Sequence, residues 1–322
     1  MAILYRTNCR DKAKIQTEFF PFAKPDEIEG MIIGNDLDSL LSAALLKTKF
    51  GWNIVGIYDY SNLWCSKGIE DFKRKILERK FVAIDLDIYH PSVPSIGHHI
   101  LEFDYSDILP YHCLSLNPNF IRGINLKNFR RKYPLGTVHF LTWLFDIDVL
   151  SSDGEMLIWL ADSSYINGQN HRFKSNVRDW INNYLSSDFL VNSVKKIDTK
   201  EFENELQRNI ISVLRKVKIC GSDGQVQSRH NLIRGFQCQW YDPNDEREDI
   251  EKVMDFICRK MSWEKPALPK SFNRIKGMRK TYNIAHIKSN YGSFDKFLED
   301  EAVFSYVMNF RNKINYTTNI NF

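Results

Sequence analysis

The stretch GMIIGNDLDSLLSAALLKTKFG, residues 30–51, decides the fold. Its first five residues are apolar or small, which is typical of a short buried strand. After Asp38, apolar residues recur at helical spacing until Gly51, a residue that commonly ends helices. The segment therefore predicts a strand that leads directly into a helix, with Asp36 and Asp38 at the junction.

The same alternation continues along the chain. WNIVGIYDY (52–60) predicts a second strand, GIEDFKRKILERK (68–80) an amphipathic helix, and FVAIDLD (81–87) a third strand. The predicted apolar face of that helix consists of Ile69, Phe72, Ile76 and Leu77. Strands that are apolar almost throughout, alternating with helices, indicate a parallel sheet with helices on both faces. The predicted class is therefore α/β.

Acidic side chains follow two of these strands. Asp36, Asp38 and Asp85 lie at carboxyl ends of predicted strands, which meet at one ligand-binding edge in such sheets. Crowded carboxylates repel one another, and a divalent cation relieves that repulsion. With His98 and His99 nearby, the residue types suit Mn²⁺, Mg²⁺ or Zn²⁺, and the lack of nearby cysteine disfavours structural zinc. The alternative is that Asp36 and Asp38 merely cap the following helix.

Composition limits the possible classes of protein. The chain has 322 residues, of which 43% are hydrophobic, and this length favours two domains. The net charge is only +4, so any nucleic-acid site must be a local basic patch. Apolar runs are too short for a bilayer, and the start of the chain lacks a signal-peptide core. The six scattered cysteines contain no CxxC pair, which predicts reduced thiols in a cytoplasmic protein. The short apolar runs predict no membrane partner.

Further segments complete a larger pattern. CLSLNPNF (113–120) predicts a strand that ends at an Asn-Pro turn, and helices are predicted over 133–145 and 154–168. The ordered motifs are Asp36-Leu37-Asp38, Asp85, Gly97-His98-His99, Asn117-Pro118, Gly136 and Ala161-Asp162. In this order and rough spacing, residues 28–170 resemble the DHH superfamily of phosphoesterases, and within it the RecJ-like branch of single-strand exonucleases.

This resemblance implies a function and a set of site residues. It implies a phosphoesterase that uses one or two Mn²⁺ or Mg²⁺ ions to hydrolyse phosphodiester bonds of single-stranded nucleic acid, an oligonucleotide or a cyclic nucleotide. One ion would be held by Asp38, Asp85, His98 and Asp162, and the other by Asp36 and Asp85. His99 would face the phosphate, so that Asp85, His98 and His99 are the predicted catalytic residues.

The chain also departs from the family pattern. Gly97 stands where the family has the first acid of its DHH motif, and Ile32 and Gly34 stand where it has a further ligand. Asn35 is a weak replacement, whereas Asp87 or His90 could fill the gap. These departures leave open an alternative function, a DHH-like fold that binds nucleic acid or a protein partner without hydrolysis.

The C-terminal part predicts a second, smaller α+β domain. We place the boundary near residue 195, with a DHH-like phosphoesterase domain over 1–195 and a substrate-binding or interaction domain over 196–322. Two basic clusters, 127–132 and 270–282, predict contacts with the backbone of a single strand. The candidate cations are Arg130, Arg131, Arg274, Arg279 and Lys280. In the second cluster Phe272 and Tyr282 are interleaved as possible stacking rings, and the alternative is a solvated basic face.

Overall fold

The computed structural model describes residues 4–320 except 67, 108, 150, 170–172 and 311. The strands of this part are, in chain order, β1 Gly30–Ile33, β2 Ile54–Tyr58, β3 Asn62–Cys65, β4 Phe81–Ile84, β5 Ser95–Ile96, β6 Ser115–Leu116, β7 Cys220–Gln227, β8 Arg234–Cys238, β9 Asn273–Lys276, β10 Met278–Asn283, β11 Val303–Phe310 and β12 Lys313–Thr318.

The α-helices of the same part follow in chain order. They are α1 Lys12–Glu18, α2 Phe20–Ala23, α3 Leu37–Phe50, α4 Ile69–Leu77, α5 Pro118–Arg122, α6 Thr137–Leu144, α7 Ser152–Leu160, α8 Ser164–Gly168, α9 Lys174–Arg178, α10 Asp188–Lys196, α11 Lys200–Glu205, α12 Ser212–Leu214, α13 Arg247–Met261, α14 Ile287–Tyr291 and α15 Phe294–Asp300. Short 3₁₀ segments lie between several of them, and π-helical turns extend α9 and α11.

The chain divides into two compact units that interleave along the sequence. The first consists of residues 1–34, 52–132 and 269–322, and the second of residues 35–51 and 133–268. The chain crosses between the units at the end of β1, so the predicted strand-to-helix junction is also the first crossing point. The predicted functional boundary near residue 195 stays a prediction.

The first unit is built on a seven-stranded sheet in the order β6-β5-β4-β1-β2-β3-β9. The five strands from β6 to β2 are parallel, which confirms the predicted α/β class and the parallel sheet. β3 and β9 are antiparallel additions at one edge and were not predicted. Their pairing depends on segments about 200 residues apart, joined as Trp64 to Arg274, which no local pattern reports.

The core of the first unit lies on the apolar side chains of this sheet and of α4. Phe72 and Ile76 of α4 are buried with Phe81 of β4, and the two phenylalanine rings are 5.0 Å apart. Leu77 was predicted to share that face but is 56% exposed. At 3.6 residues per turn, Leu77 lies about 140° around the helix from Phe72, so its side chain points away from the buried face.

A second sheet in the first unit has the order β10-β12-β11 and is antiparallel. Only Gly277 separates β9 from β10, so one basic segment supplies an edge strand to each sheet. A Cβ at Gly277 would lie within 3 Å of Thr317, Ile320 and the carbonyl of Ser61, which requires glycine at this crossing.

The second unit is mostly helical. α3 packs against α6 and α13, and α7 also packs against α13. One face of α13 belongs to the core of this unit and carries the buried side chains of Ile250, Val253, Met254, Ile257 and Cys258.

The second unit also contains the β7–β8 hairpin, whose register sets Cys220 directly opposite Cys238. These two cysteines form a disulfide bond, so the prediction of reduced thiols is wrong for this pair. The pair was missed because antiparallel pairing, and not close spacing in sequence, brings the two residues together.

Candidate metal and phosphate site

In the first unit, three parallel strands end beside one another and deliver polar residues to one edge of the sheet. Asp85 and Asp87 follow β4, His98 and His99 follow β5, and Asn117 follows β6. Carboxyl ends of neighbouring parallel strands share an edge, which is the usual ligand-binding edge of such sheets. Asp85, His98 and His99 therefore lie at the same edge of this sheet.

Asp85 and His98 form a close pair. Asp85 Oδ1 lies 3.2 Å from His98 Nδ1, and their side chains are only 4% and 13% exposed. Asp85 has φ of 59°, in the left-handed region that few residues other than glycine adopt. Such a conformation persists only where the surrounding structure holds it, and it is common at functional sites.

Asp87 and His99 form a second pair beside the first. Asp87 Oδ2 accepts hydrogen bonds from the backbone N–H of His99 at 3.1 Å and from its ring Nδ1 at 2.9 Å. Burial raises the pKa of Asp87, but its hydrogen bond to His99 and the charges of both histidines lower it more, so the net pKa is below the ordinary value. The rings of His98 and His99 stack with centroids 4.4 Å apart.

Two asparagines hold the backbone of the histidine pair. The side-chain amide of Asn117 donates to the carbonyl of His99 at 2.9 Å, and that of Asn119 donates to the carbonyl of His98 at 2.7 Å. Asn117 Oδ1 also accepts from the first N–H groups of α5, which fixes its side chain. Sequence reasoning identified the Asn-Pro turn but missed Asn119, whose place just beyond a strand end was the available signal.

His90 was predicted as a possible substitute ligand. Burial lowers the pKa of its imidazole to about 4, so the ring is neutral at pH 7. Its Nδ1 accepts a hydrogen bond from the backbone of Ser92 at 3.2 Å, which leaves Nε2 as the nitrogen that carries the hydrogen. The Nδ1 lone pair of His90 is therefore engaged within its own turn, and its role as a substitute ligand stays a prediction.

In the second unit, Asp36 and Asp38 have different partners. Asp36 Oδ1 accepts hydrogen bonds at 3.0 Å from the backbone and the hydroxyl of Ser39, so Asp36 caps α3 as the alternative interpretation expected. Asp38 does not serve as that cap. Its carboxylate is 1% exposed and accepts from the backbone N–H groups of Thr137 and Val138 at 2.6 and 2.9 Å, at the start of α6.

Gly136 makes this arrangement possible. A Cβ at position 136 would lie 2.5 Å from Asp38 Oδ2, closer than side-chain carbons approach. The glycine of the predicted helix motif is therefore a space requirement set by a carboxylate from another helix of the same unit.

Asp162 and Asn35 are also held within the second unit. Asp162 follows α7 with φ of 51°, and the hydroxyl of the next residue, Ser163, bonds to both backbone groups of Phe236. The side-chain amide of Asn35 donates to the carbonyl of Trp240. Asp36, Asp38 and Asp162 thus belong to one unit and Asp85 and His98 to the other, and the convergence of all five stays a prediction.

The second basic cluster lies on an open edge of the first unit. Through the strand registers, Arg274 is in the same row as Ile84, the residue before Asp85. Four strand steps of about 4.8 Å put it about 19 Å from β4. The guanidinium of Arg274 lies 5.4 Å from the ring centre of Trp64, and that of Arg279 lies 5.8 Å from Tyr60. Both arginines are exposed.

The other candidates in the basic clusters differ. Lys280 pairs with Glu301 at 2.9 Å, so its charge is already offset. Phe272 is buried, and Tyr282 packs against Tyr291 and Phe297, so these rings serve packing. In the first cluster, Arg130 and Arg131 are exposed at the end of a 3₁₀ segment.

We predict that Arg274→Glu and Arg279→Glu together weaken binding of single-stranded DNA and flatten its salt dependence. Each lost phosphate contact lowers the slope of log K against log salt by about 0.7 for a single strand. Fluorescence anisotropy of a labelled oligonucleotide over a salt series measures this slope. Lys216→Glu, an exposed lysine of the second unit, is the control. An unchanged slope in the double variant would make these arginines an ordinary solvated face.

The chain matches no protein family, no curated protein and no solved structure with which it was compared. In the described ranges, no helix has both the length and the hydropathy needed to span a membrane.

Proposed function

We propose that this protein is a metal-dependent phosphoesterase of the DHH type that hydrolyses phosphodiester bonds of single-stranded nucleic acid, an oligonucleotide or a cyclic nucleotide. The observation that carries the proposal is the edge formed by β4, β5 and β6. There, two buried carboxylates are paired with two stacked histidines at 3.2 and 2.9 Å. Buried acid–imidazole pairs at a ligand-binding strand edge suit catalysis better than core packing.

The proposed ligands fit a hard divalent cation. The resemblance to the DHH superfamily assigns one ion to Asp38, Asp85, His98 and Asp162, and a second to Asp36 and Asp85. Oxygen donors predominate and cysteine is absent from the set, which favours Mn²⁺ or Mg²⁺. Beside Asp36, the buried Oδ1 of Asn35 has no hydrogen-bond partner among the described residues, so a further oxygen is available there.

Each group of side chains has a separate role in the proposed hydrolysis. Bound Mn²⁺ or Mg²⁺ lowers the pKa of a water ligand and offsets charge on phosphate oxygens. His99 is 25% exposed and its Nδ1 contacts Asp87 Oδ2, and we assign its ring to the phosphate. Arg274 and Arg279 bind the phosphate backbone of a single-stranded nucleic acid that extends along the sheet edge. Asp85 orients His98 through its 3.2 Å contact.

Metal content and hydrolysis test the proposal together. Purified protein dialysed against Mn²⁺ is expected to retain one or two ions per chain and to cleave single-stranded DNA, RNA or a cyclic dinucleotide. The alternative, a protein that binds nucleic acid or a protein partner without hydrolysis, predicts binding of an oligonucleotide without turnover. Absence of both retained metal and turnover on all three substrates would refute the phosphoesterase.

A further inference from the structure

Gly97 is a glycine for reasons of space. A Cβ at this position would lie 2.2 Å from Asp87 Oδ1, 2.4 Å from its Cγ and 2.7 Å from its Oδ2. Side-chain carbons do not approach other atoms so closely. Gly97 is not among the residues with positive φ, so its backbone conformation does not require glycine. A side chain at position 97 would therefore point into the volume that the carboxylate of Asp87 fills.

The carboxylate of Asp87 accepts hydrogen bonds from two residues, His99 and Asn117. Oδ2 accepts from the backbone and the ring of His99, and Oδ1 accepts from Asn117 at 2.8 Å. The same amide of Asn117 donates to the carbonyl of His99. The side chain of Asp87 is 1% exposed, so its oxygens are shielded from bulk solvent. Asp87 is thus engaged with N–H groups and is not a substitute metal ligand.

We infer that Asp87 is the positioning residue of His99, and that it supplies from the end of β4 the carboxylate that the histidine motif lacks at position 97. The role in phosphate contact rests on the proposed function. Only one of the two positions can carry the acid, because both side chains enter the same volume. The apparent loss at Gly97 is therefore a relocation of the acid by ten residues in sequence, from 97 to 87.

A double-mutant cycle tests the relocation. Asp87→Gly leaves Asn117 and His99 without their acceptor, and Gly97→Asp forces two carboxylates into one buried volume. Each single variant is expected to lower Tm by about 5 °C or more. The double variant returns the acid to position 97 with room for it, and most of the loss is expected to be regained. If the two substitutions act independently, their losses of Tm add, and the double variant is less stable than either single variant.

Histidine NMR separates positioning from mere structural support. The ionised carboxylate only accepts, so His99 Nδ1 carries a hydrogen, and long-range ¹H–¹⁵N spectra report this directly. Asp87→Asn, which keeps the shape, is expected to mix the two ring tautomers of His99. Affinity for inorganic phosphate with Mg²⁺ present should fall by about 10-fold, as for loss of an outer partner. The double variant is expected to restore both signals.

Asp59→Asn is the matched control in the same unit. Asp59 is also buried and accepts hydrogen bonds from Ser61, Asn62 and Trp64. None of these donors is a histidine. It is expected to lower Tm without changing the His99 tautomer. The inference is overturned if the swapped variant is no more stable than the single variants, or if Asp87→Asn leaves the His99 ring unchanged. Neither readout needs turnover, so an inactive wild type would refute the proposed function alone.

Discussion

Asp85→Asn is expected to abolish most hydrolysis and to weaken metal binding. The substitution removes one negative charge from the proposed bridge between two cations while it nearly preserves the shape of the side chain. Loss of even an outer partner of a ligand costs about 10 to 100-fold, so loss of the bridge should exceed about 100-fold. Calorimetric titration with Mn²⁺ and cleavage of a labelled single strand measure the two effects.

Two further variants calibrate this result. Asp162→Asn affects one proposed ion only and should be milder than Asp85→Asn. Asp71→Asn removes the same charge from the surface of α4, where Asp71 pairs with Arg74, and should change neither quantity. Equal Mn²⁺ affinity in wild type and Asp85→Asn would exclude Asp85 as a ligand.

Gly136→Ala is expected to destabilise the protein by about 2 kcal/mol, the usual cost of forcing an extra carbon into a packed site. The added Cβ would lie 2.5 Å from Asp38 Oδ2, so the carboxylate must move away from the N–H groups of Thr137 and Val138. Urea denaturation measures the free energy of unfolding. If Asp38 is a metal ligand, Mn²⁺ affinity should fall in the same variant.

Gly221→Ala is the control in the same unit, because nothing lies within 4 Å of the Cβ it would add. Its stability should stay close to that of wild type. A Gly136→Ala variant with wild-type stability would show that Asp38 can move without cost. The carboxylate would then not be held in a defined position.

Local pattern was sufficient for the parallel part of the sheet and for the major helices around it. The apolar runs at β1, β2 and β4 and the helical spacing of α3 depend only on neighbours in sequence, because side-chain periodicity follows from backbone geometry. The same reasoning placed Asp85 at a strand end, since a polar residue directly after a buried strand must lie at the sheet edge.

The pairing of residues that are distant in sequence is determined only by the tertiary structure. The edge strands β3 and β9, the Cys220–Cys238 disulfide and the pairing of Lys280 with Glu301 all join segments that carry no mutual signal. Each depends on which chain segment packs opposite, a choice made by the summed burial of many residues rather than by any local preference.

The histidine pair shows most clearly what the sequence alone does not determine. The sequence by itself showed two adjacent histidines, His98 and His99, preceded by Gly97 where an acid was expected. Only the tertiary structure decided that this absence is filled, because the carboxylate of Asp87 enters from the neighbouring strand and occupies the volume beside Gly97. A carboxylate is recognised by the space and the N–H groups around it, and these are properties of the folded chain.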